Sequence, residues 1–380
     1  MSNARNLANL LGTGTQVTTA DIADGVFQAN KNLIINGAQL INQRGDATGR
    51  SGSGYYSTDR FRLLINLMGG YDISQSSTAP DGFSKSKRFY CSTADASPGA
   101  SDYLIMQHAI EGYNLQHLDW GSASAKKITL SFWVKSSKTG TYNVEFSQDA
   151  ANPPYKSLQY TVSVADTWEY KTLTFSGNTT DPLTDGTVAS LNIYWWLGAG
   201  STFTSGTYNA DTWHGTNGNR AVGNVNLSDT VGNNWNITGV QLEVGEQATP
   251  FEHRSYGDEL ARCQRYYERY SGWTEAEATL LLSGRILSSN RNDACYFFRT
   301  KKRAAPSLTM ISDNGSGGTS PSIVVFPSNA TSETLSFISA AISGANTCSA
   351  IIRTTGGATL TNGHNSTTMM ATDFAFDAEL

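Results

Sequence analysis

Apolar and polar residues alternate along six segments between residues 128 and 244. In ITLSFWV, the alternate positions Ile128, Leu130, Phe132 and Val134 share one side of an extended chain. A period of two is the side-chain period of a β-strand. The other five segments with this period are 142–146, 158–164, 168–175, 191–197 and 236–244. With turn residues between them, about eight antiparallel strands predict a jelly-roll β-sandwich over residues 31–254.

The pattern changes on both sides of this predicted sandwich. Residues 255–270 have a helical period, and Ser255 and Asp258 have the spacing of a capping box, so we expect a helical connector. Residues 271–380 return to strand patterns and predict a smaller C-terminal β-sandwich that forms a tip domain. Residues 1–30 are too few to bury a core of their own, and we expect an attachment segment that becomes ordered against a partner.

Composition supports an all-β class and excludes several functions. Only 16% of the 380 residues are charged, against about 25% in typical domains. The formal net charge of −5 argues against a protein that coats nucleic acid. No run of 18 apolar residues exists, so no membrane insertion is predicted. The first residues lack the pattern of a secretory signal, which predicts synthesis in a cytoplasm.

Motifs of catalysis and metal binding are absent from the sequence. The five histidines have no ligand spacing, and the four cysteines form no CxxC, so free buried thiols are expected. Paired carboxylates for glycoside hydrolysis remain open, because separation in space cannot be read from a sequence. The candidates for such a pair are Asp59, Asp72, Glu111 and Asp119. We therefore expect a protein that is not an enzyme.

Aromatic residues give the better indication of function. If the apolar positions of 191–197 face the core, Tyr194 and Trp196 face outward, and the same reasoning places Trp133 outward. Outward aromatic rings can stack on sugar rings, form a subunit contact, or be covered by loops. The long loop-like stretch 201–229 is a further candidate for ligand contact. Its candidate residues are Tyr208, Trp213, His214 and Arg220.

Several strings carry a resemblance to a known family. NLIINGAQLINQRG (32–45), followed by YYSTDRFRL (55–63), resembles the start of a bacteriophage tail-fibre or receptor-binding module. GVQLEVGEQATPFEHRSYGDELARCQRYYERY (239–270) resembles the end of the same module. FRTKKRAAPSLTMIS and the final FDAEL resemble the small domain that follows it, and residues 2–27 are similar to segments that fasten phage fibres to the particle.

The resemblance implies a structural protein of the virion, synthesised in the host cytoplasm and located on the tail or the capsid surface. It implies a homotrimer whose jelly roll is similar to carbohydrate-binding modules. Residues 1–30 would attach to a tail or capsid protein, and the host surface receptor would be a glycan. Two alternatives stay open: a glycan depolymerase on the virion, and a capsid-surface fibre or decoration protein.

We expect no cofactor, and a structural Ca²⁺ stays open as an alternative. Jelly rolls of this type sometimes hold that ion with carboxylates and carbonyl oxygens. Asn36, Asp59 and Glu243 are the candidate ligands, on the condition that the first and last strands of the sandwich pair.

Overall fold

The computed structural model describes residues 31–270, 281–288, 291–311, 322–327, 333–345, 347–356, 365–370 and 373–380. The predicted attachment segment 1–30 lies outside the described residues.

Twelve strands between residues 47 and 244 form two six-stranded sheets. They are β1 (Ala47–Arg50), β2 (Gly54–Tyr55), β3 (Phe61–Asn66), β4 (Gly70–Ser76), β5 (Ser86–Thr93), β6 (Tyr103–Glu111), β7 (Ile128–Ser136), β8 (Gly140–Gln148), β9 (Tyr155–Val162), β10 (Glu169–Phe175), β11 (Ala189–Ala199) and β12 (Asn234–Val244). Sheet A has the order β1-β4-β5-β12-β7-β10, and sheet B has the order β2-β3-β6-β11-β8-β9. All of these pairs are antiparallel, and the predicted jelly roll is confirmed.

The core of the sandwich lies between the two sheets and contains the predicted alternate positions. Phe132 and Leu242 of sheet A are fully buried, as are Val144 and Trp195 of sheet B. Because alternate side chains of a strand point to opposite faces, every second residue of sheet B is directed to its outer face. That outer face carries the residues from which the candidate site is built.

The string NLIINGAQL (32–40), expected from its pattern to be the first strand of the sandwich beside the last one, forms no strand, although it does lie beside β12. Residues 32–37 form no strand but run beside β12, where the Leu33 amide donates to the Leu242 carbonyl at 2.9 Å. The Val240 amide donates to the Gly37 carbonyl at 3.0 Å. A Cβ at position 37 would lie 2.1 Å from the carbonyl oxygen of Val240, so the close approach requires glycine.

Within the described ranges, two short α-helices interrupt the strands. Helix α1 covers Ser201–Thr204, and α2 covers Tyr256–Gln264. The capping prediction is confirmed, since the Asp258 amide donates to Ser255 Oγ at 3.2 Å. The predicted helical stretch is too long, because Tyr267–Tyr270 is already a strand. No helix in the described part of the chain is long and apolar enough to cross a membrane.

Nine further strands form the C-terminal unit. They are β13 (Tyr267–Tyr270), β14 (Leu281–Ser288), β15 (Arg291–Phe297), β16 (Ser307–Ile311), β17 (Ser322–Pro327), β18 (Glu333–Ala345), β19 (Ser349–Gly356), β20 (Asn365–Met370) and β21 (Asp373–Asp377). Strands β13-β21-β16 form a three-stranded sheet, and β14-β15-β19-β18-β17-β20 form a closed barrel. The smaller C-terminal β unit is therefore confirmed, and its finer arrangement is a barrel with a sheet beside it.

The four cysteines are free thiols, as expected. Cys91 and Cys263 are buried, which agrees with the prediction. Cys295 and Cys348 are exposed, which the prediction of buried thiols missed. Cys295 lies at an outward position of β15, and Cys348 lies in the bend just before β19.

Buried arginines join the sandwich to the C-terminal unit. Arg60, just before β3, forms an ion pair with Glu379, and its guanidinium lies 3.4 Å from the ring centroid of Tyr266. Arg44 binds Asp377 at 3.1 Å and Glu379 at 3.2 Å. Arg60 is thus paired with a residue that is 319 positions away in the sequence.

Candidate functional site

Five side chains form a row across the outer face of sheet B, which we call the polar row. It crosses β2, β3, β6, β11 and β8, and each member lies opposite the next in the antiparallel register. Its members are, in order, Tyr55, Arg62, Gln107, Tyr194 and Glu145. With strands about 4.8 Å apart, the row is about 19 Å long. It offers aromatic, cationic, amide and carboxylate groups along one line.

Gln107 and Tyr194 lie at the centre of the polar row. Gln107 is 7% exposed, and its Nε2 donates to Oδ1 of Asn192 at 2.8 Å. Its Oε1 is buried and has no hydrogen-bond partner among the described residues. Tyr194 is partly exposed, and burial raises the pKa of its phenol well above the usual range. It is therefore a neutral hydroxyl that can both donate and accept.

Glu145 ends the polar row in a buried ion pair with Arg220. The Arg220 guanidinium donates from Nη2 to Oε1 at 2.7 Å and from Nε to Oε2 at 2.9 Å. Burial raises the pKa of the Glu145 carboxyl, and the arginine charge opposes that shift. The guanidinium also lies 4.0 Å from the ring centroid of Tyr155 and 5.2 Å from that of Trp196. Arg220 is thus held by one carboxylate and by aromatic rings around it.

Residues 201–223 cover one end of this face, and we call them the covering segment. Phe203 packs on Trp196 with ring centroids 5.2 Å apart, and on Tyr103 at 5.9 Å. The Ala221 amide donates to the Phe203 carbonyl, and Ala221 and Trp196 are both fully buried. Trp196 does point to the outer face as predicted, but it is not exposed, because the segment lies over it. The reading in which loops cover the sheet is confirmed for this residue.

The C-terminal unit bounds the opposite end of the same face. Arg265 binds Glu111 with contacts of 2.8 and 2.9 Å, and Arg303 Nη1 donates to the Thr187 carbonyl at 3.1 Å. Tyr55 Oη donates to the Leu380 carbonyl at 2.8 Å. The first residue of β6, Tyr103, therefore contacts the covering segment, and its last residue, Glu111, contacts Arg265 on the side of the C-terminal unit. The polar row crosses between these two walls, and we call the outer face of sheet B between them the groove.

The candidates from 201–229 divide between two places. His214 pairs with Tyr155 at the edge of sheet B through backbone hydrogen bonds of 2.7 and 2.9 Å. Tyr208 is 36% exposed, and its hydroxyl accepts from the Gln159 amide of β9. Trp213 is turned away from the polar row, with its Nε1 donating to the Ser176 carbonyl and its ring against Trp120. The structure thus brings Tyr194, Trp196, Tyr208, His214 and Arg220 to one face and leaves Trp213 aside.

The three candidate calcium ligands have separate partners. The Asn36 side chain bonds the backbone of Ile41 and the carbonyl of Asp59. The Asp59 carboxylate accepts from the backbone and side-chain amides of Gln43. The Glu243 carboxylate accepts from Gln241 and Thr249. Their carboxylate and amide oxygens already accept N–H or O–H donors from different segments, so they do not fit a shared Ca²⁺.

The four carboxylates considered for hydrolysis are not brought together. Asp59 is buried against Gln43, and Glu111 is bound to Arg265. Asp72 accepts from the Gly49 amide at the edge of sheet A. Asp119 lies in an exposed ion pair with Lys126. Each of the four carboxylates thus has its own bonding partner in a different segment of the chain.

Sheet A carries an aromatic pair on its outer face. The rings of Trp133 and Tyr170 lie 5.3 Å apart between centroids, and Tyr170 is 45% exposed. Trp133 points outward as predicted, because its neighbour Phe132 is in the core. No row of hydrogen-bonding groups comparable to that of sheet B surrounds this pair among the described residues. It serves below as a matched control surface.

Sequence reasoning missed five residues of the groove, which are Tyr55, Arg62, Gln107, Glu145 and Asn192. Glu145 carried a signal, since it alternates with the apolar residues of 142–146 and so had to face away from the core. Asn192 carried the same signal within 191–197. Gln107 lay in a strand whose core and outer residues are both apolar, and there the alternation gives no direction.

No protein-family model matches the chain, and no curated protein matches it. Among solved structures, it is similar to the enzymatically active domain of tailspike protein 4 of bacteriophage CBA120. The identity is 13% and the TM-score is 0.30, over 57% of this chain and 22% of that chain. The chain thus spans about a fifth of the length of that structure.

Two other similar structures are carbohydrate-binding modules. TmCBM61, in complex with β-1,4-galactotriose, is 8% identical with a TM-score of 0.29, over 56% of this chain and 99% of that chain. The family 11 module of the cellulase Lic26A-Cel5E of Clostridium thermocellum is 9% identical with a TM-score of 0.28, over 54% and 97%. The class of this chain, an all-β protein with a two-sheet jelly roll, follows from its own strand order.

Proposed function

We propose that the jelly roll binds a glycan in the groove on the outer face of sheet B. The observation that carries this proposal is the polar row, in which the partly exposed ring and hydroxyl of Tyr194 lie beside the amide of Gln107, whose buried Oε1 has no partner among the described residues. Sugars present apolar ring faces together with many hydroxyl groups, so a site of this chemistry suits them. In this respect the sandwich would act like a carbohydrate-binding module.

We propose binding without turnover. Glycoside hydrolysis generally uses two carboxyl groups about 5 to 9.5 Å apart. Glu145 is the one carboxylate of the polar row, and both of its oxygens are bound by Arg220. Incubating the pure protein with polysaccharide and assaying reducing ends tests this part, and a release above that of buffer would favour the depolymerase alternative.

For the whole chain, we propose a receptor-binding fibre of a phage particle that adsorbs to the host surface. The support is the resemblance of the strings at 32–63, 239–270 and 376–380 to tail-fibre modules. In this proposal residues 1–30 fasten the chain to a tail or capsid protein, and three copies assemble. Several weak sites then engage one cell surface together and multiply the affinity. Light scattering tests the trimer, and a monomer at micromolar concentration would contradict it.

The glycan proposal is tested by removing one ring from each sheet. Tyr194→Ala removes a partly exposed ring from the groove, and Tyr170→Ala removes an exposed ring from sheet A as the matched control. On a glycan microarray, Tyr194→Ala should lose about tenfold in affinity or more, because an aromatic side chain contributes about 1.5 kcal/mol when buried. Tyr170→Ala should bind as the wild type does. An equal effect of both variants would refute the assignment of the site to sheet B.

A further inference from the structure

Building on the proposed function, we propose that the glycan is acidic and that Arg62 binds one of its carboxylate groups. Arg62 lies on β3 with its side chain on the outer face of sheet B, because its neighbours Phe61 and Leu63 are in the core. In the antiparallel register it stands between Tyr55 of β2 and Gln107 of β6. It is therefore part of the floor of the groove.

Arg62 has no counter-ion among the described residues, unlike the arginines around it. Arg220 is bound by Glu145 at one end of the groove, and Arg265 is bound by Glu111 at the other. The Arg62 guanidinium lies over the Tyr55 ring, 5.7 Å from the ring centroid. Its Nε is buried and has no hydrogen-bond partner. A cation that the protein leaves without a carboxylate is suited to take one from a ligand.

The neighbour of Arg62 leaves a matching acceptor. Gln107 is more than nine-tenths buried, its amide nitrogen is fixed by Asn192, and its Oε1 has no partner. A buried polar group without a partner costs free energy, which a ligand donor can recover. A sugar acid carries a carboxylate for the guanidinium and hydroxyl groups for the amide oxygen. The pair thus fits a uronic or sialic type of sugar better than a neutral one.

Because the chain carries a negative net charge, the attraction of an acidic glycan has to come from Arg62. A formal net charge of −5 repels an acidic polymer at long range, so attraction has to come from the groove itself. A single ion pair in a partly exposed groove is screened by salt, and we expect the acidic preference to weaken as the ionic strength rises.

The experiment compares acidic polysaccharides with their carboxyl-reduced forms. The probes are alginate, hyaluronate, polygalacturonate and polysialate, each beside the same polymer in which the carboxyl groups have been reduced to alcohols. Binding to the full-length protein is measured by calorimetry at low and at physiological salt. The variants are Arg62→Gln in the groove, Arg88→Gln on the outer face of sheet A as the matched loss of one positive charge, and Tyr194→Ala.

For at least one pair, we expect the wild type to bind the acidic form about tenfold more tightly than the reduced form. Arg62→Gln should abolish that preference and leave the affinity for the reduced form, whereas Arg88→Gln should keep it. Preference for no acidic probe, or preference that survives in Arg62→Gln, would overturn the inference. If neutral glycans still bind and Tyr194→Ala still removes them, the proposed function stands without it. If no glycan, acidic or neutral, binds through Tyr194, both fail.

Discussion

Replacing Glu379 with Gln removes the carboxylate that faces two buried guanidinium groups at the junction between the sandwich and the C-terminal unit. Arg60 is 1% exposed and Glu379 is 4% exposed, so the pair is separated from solvent. Gln keeps the size of the side chain and one acceptor oxygen. The change is therefore one of charge, with little change of packing.

The expected loss of stability follows from that burial. Breaking a buried ion pair by removing one partner costs about 3 to 5 kcal/mol, because a charge stays buried without compensation. Arg60 keeps its hydrogen bond to the Ala109 carbonyl at 2.8 Å and its contact with the Tyr266 ring. We therefore expect the lower value, about 3 kcal/mol, which is about 150-fold in the unfolding equilibrium.

Glu246→Gln is the matched control for this change. It removes the same charge from an ion pair with Lys127 whose side chains are 49% and 68% exposed. Exposed pairs contribute less than about 1 kcal/mol, so this variant should remain close to the wild type. Both variants are unfolded in urea at pH 7.5, with tryptophan fluorescence reporting the sandwich and circular dichroism the whole chain. The first transition is compared, since two β units need not unfold in one step.

A double-mutant cycle with Arg60→Met tests whether the uncompensated charge of Arg60 causes the loss of stability in Glu379→Gln. If the buried charge carries the loss, the double variant should be less destabilised than the sum of the single variants. The reasoning is refuted if Glu379→Gln loses no more stability than Glu246→Gln, or if the two single effects simply add.

Three further predictions concern groups buried in the sandwich. Burial raises the pKa of Asp59 from 3.8 to about 6, so the folded state binds its proton more tightly than the unfolded state does. In urea titrations, the stability of the wild type relative to Asp59→Asn should therefore fall as the pH rises from about 4 to 6, and a rise in stability would contradict this. Burial lowers the pKa of Lys87 from 10.5 to about 7, so the wild type should gain stability relative to Lys87→Met as the pH rises from 7 to 10, and a flat difference would contradict it. Glu145→Gln leaves Arg220 without its carboxylate. Backbone amide hydrogens of the covering segment should then exchange with solvent at least several-fold faster, while those of β7 keep their rate. Unchanged exchange would show that the ion pair does not hold the segment in place.

The strands that the sequence predicted best are those in which apolar residues alternate with polar ones. In β7, β8 and β11 one face is the core of the sandwich, so the polar and apolar positions separate cleanly. In β6 nearly every residue is buried, because the covering segment and the C-terminal unit lie over its outer face. Alternation disappears in such a strand, and the sequence gives no direction for its side chains.

The site was harder to predict than the fold, because its contacts are distant in the sequence. Tyr194 was placed on the outer face by alternation alone, and that placement was correct. The burial of Trp196 depends on Phe203, and the pairing of Glu145 depends on Arg220, which is 75 residues away. A charged residue at an outward strand position indicates a surface, and only the tertiary structure shows that another segment covers it.

Both walls of the groove are held by an arginine–glutamate ion pair. The residues that hold the groove in shape are therefore different from the residue proposed to recognise the ligand. Arg220 and Arg265 come from segments outside sheet B, and each reaches a nearly fully buried glutamate at an end of the sheet. These pairs satisfy their own charges and so have none to offer a ligand. Arg62 lies on the floor between them, and no residue in the described part of the chain is its counter-ion. A change at either wall should alter the width of the groove for every glycan, whereas a change at Arg62 should alter which glycans are preferred.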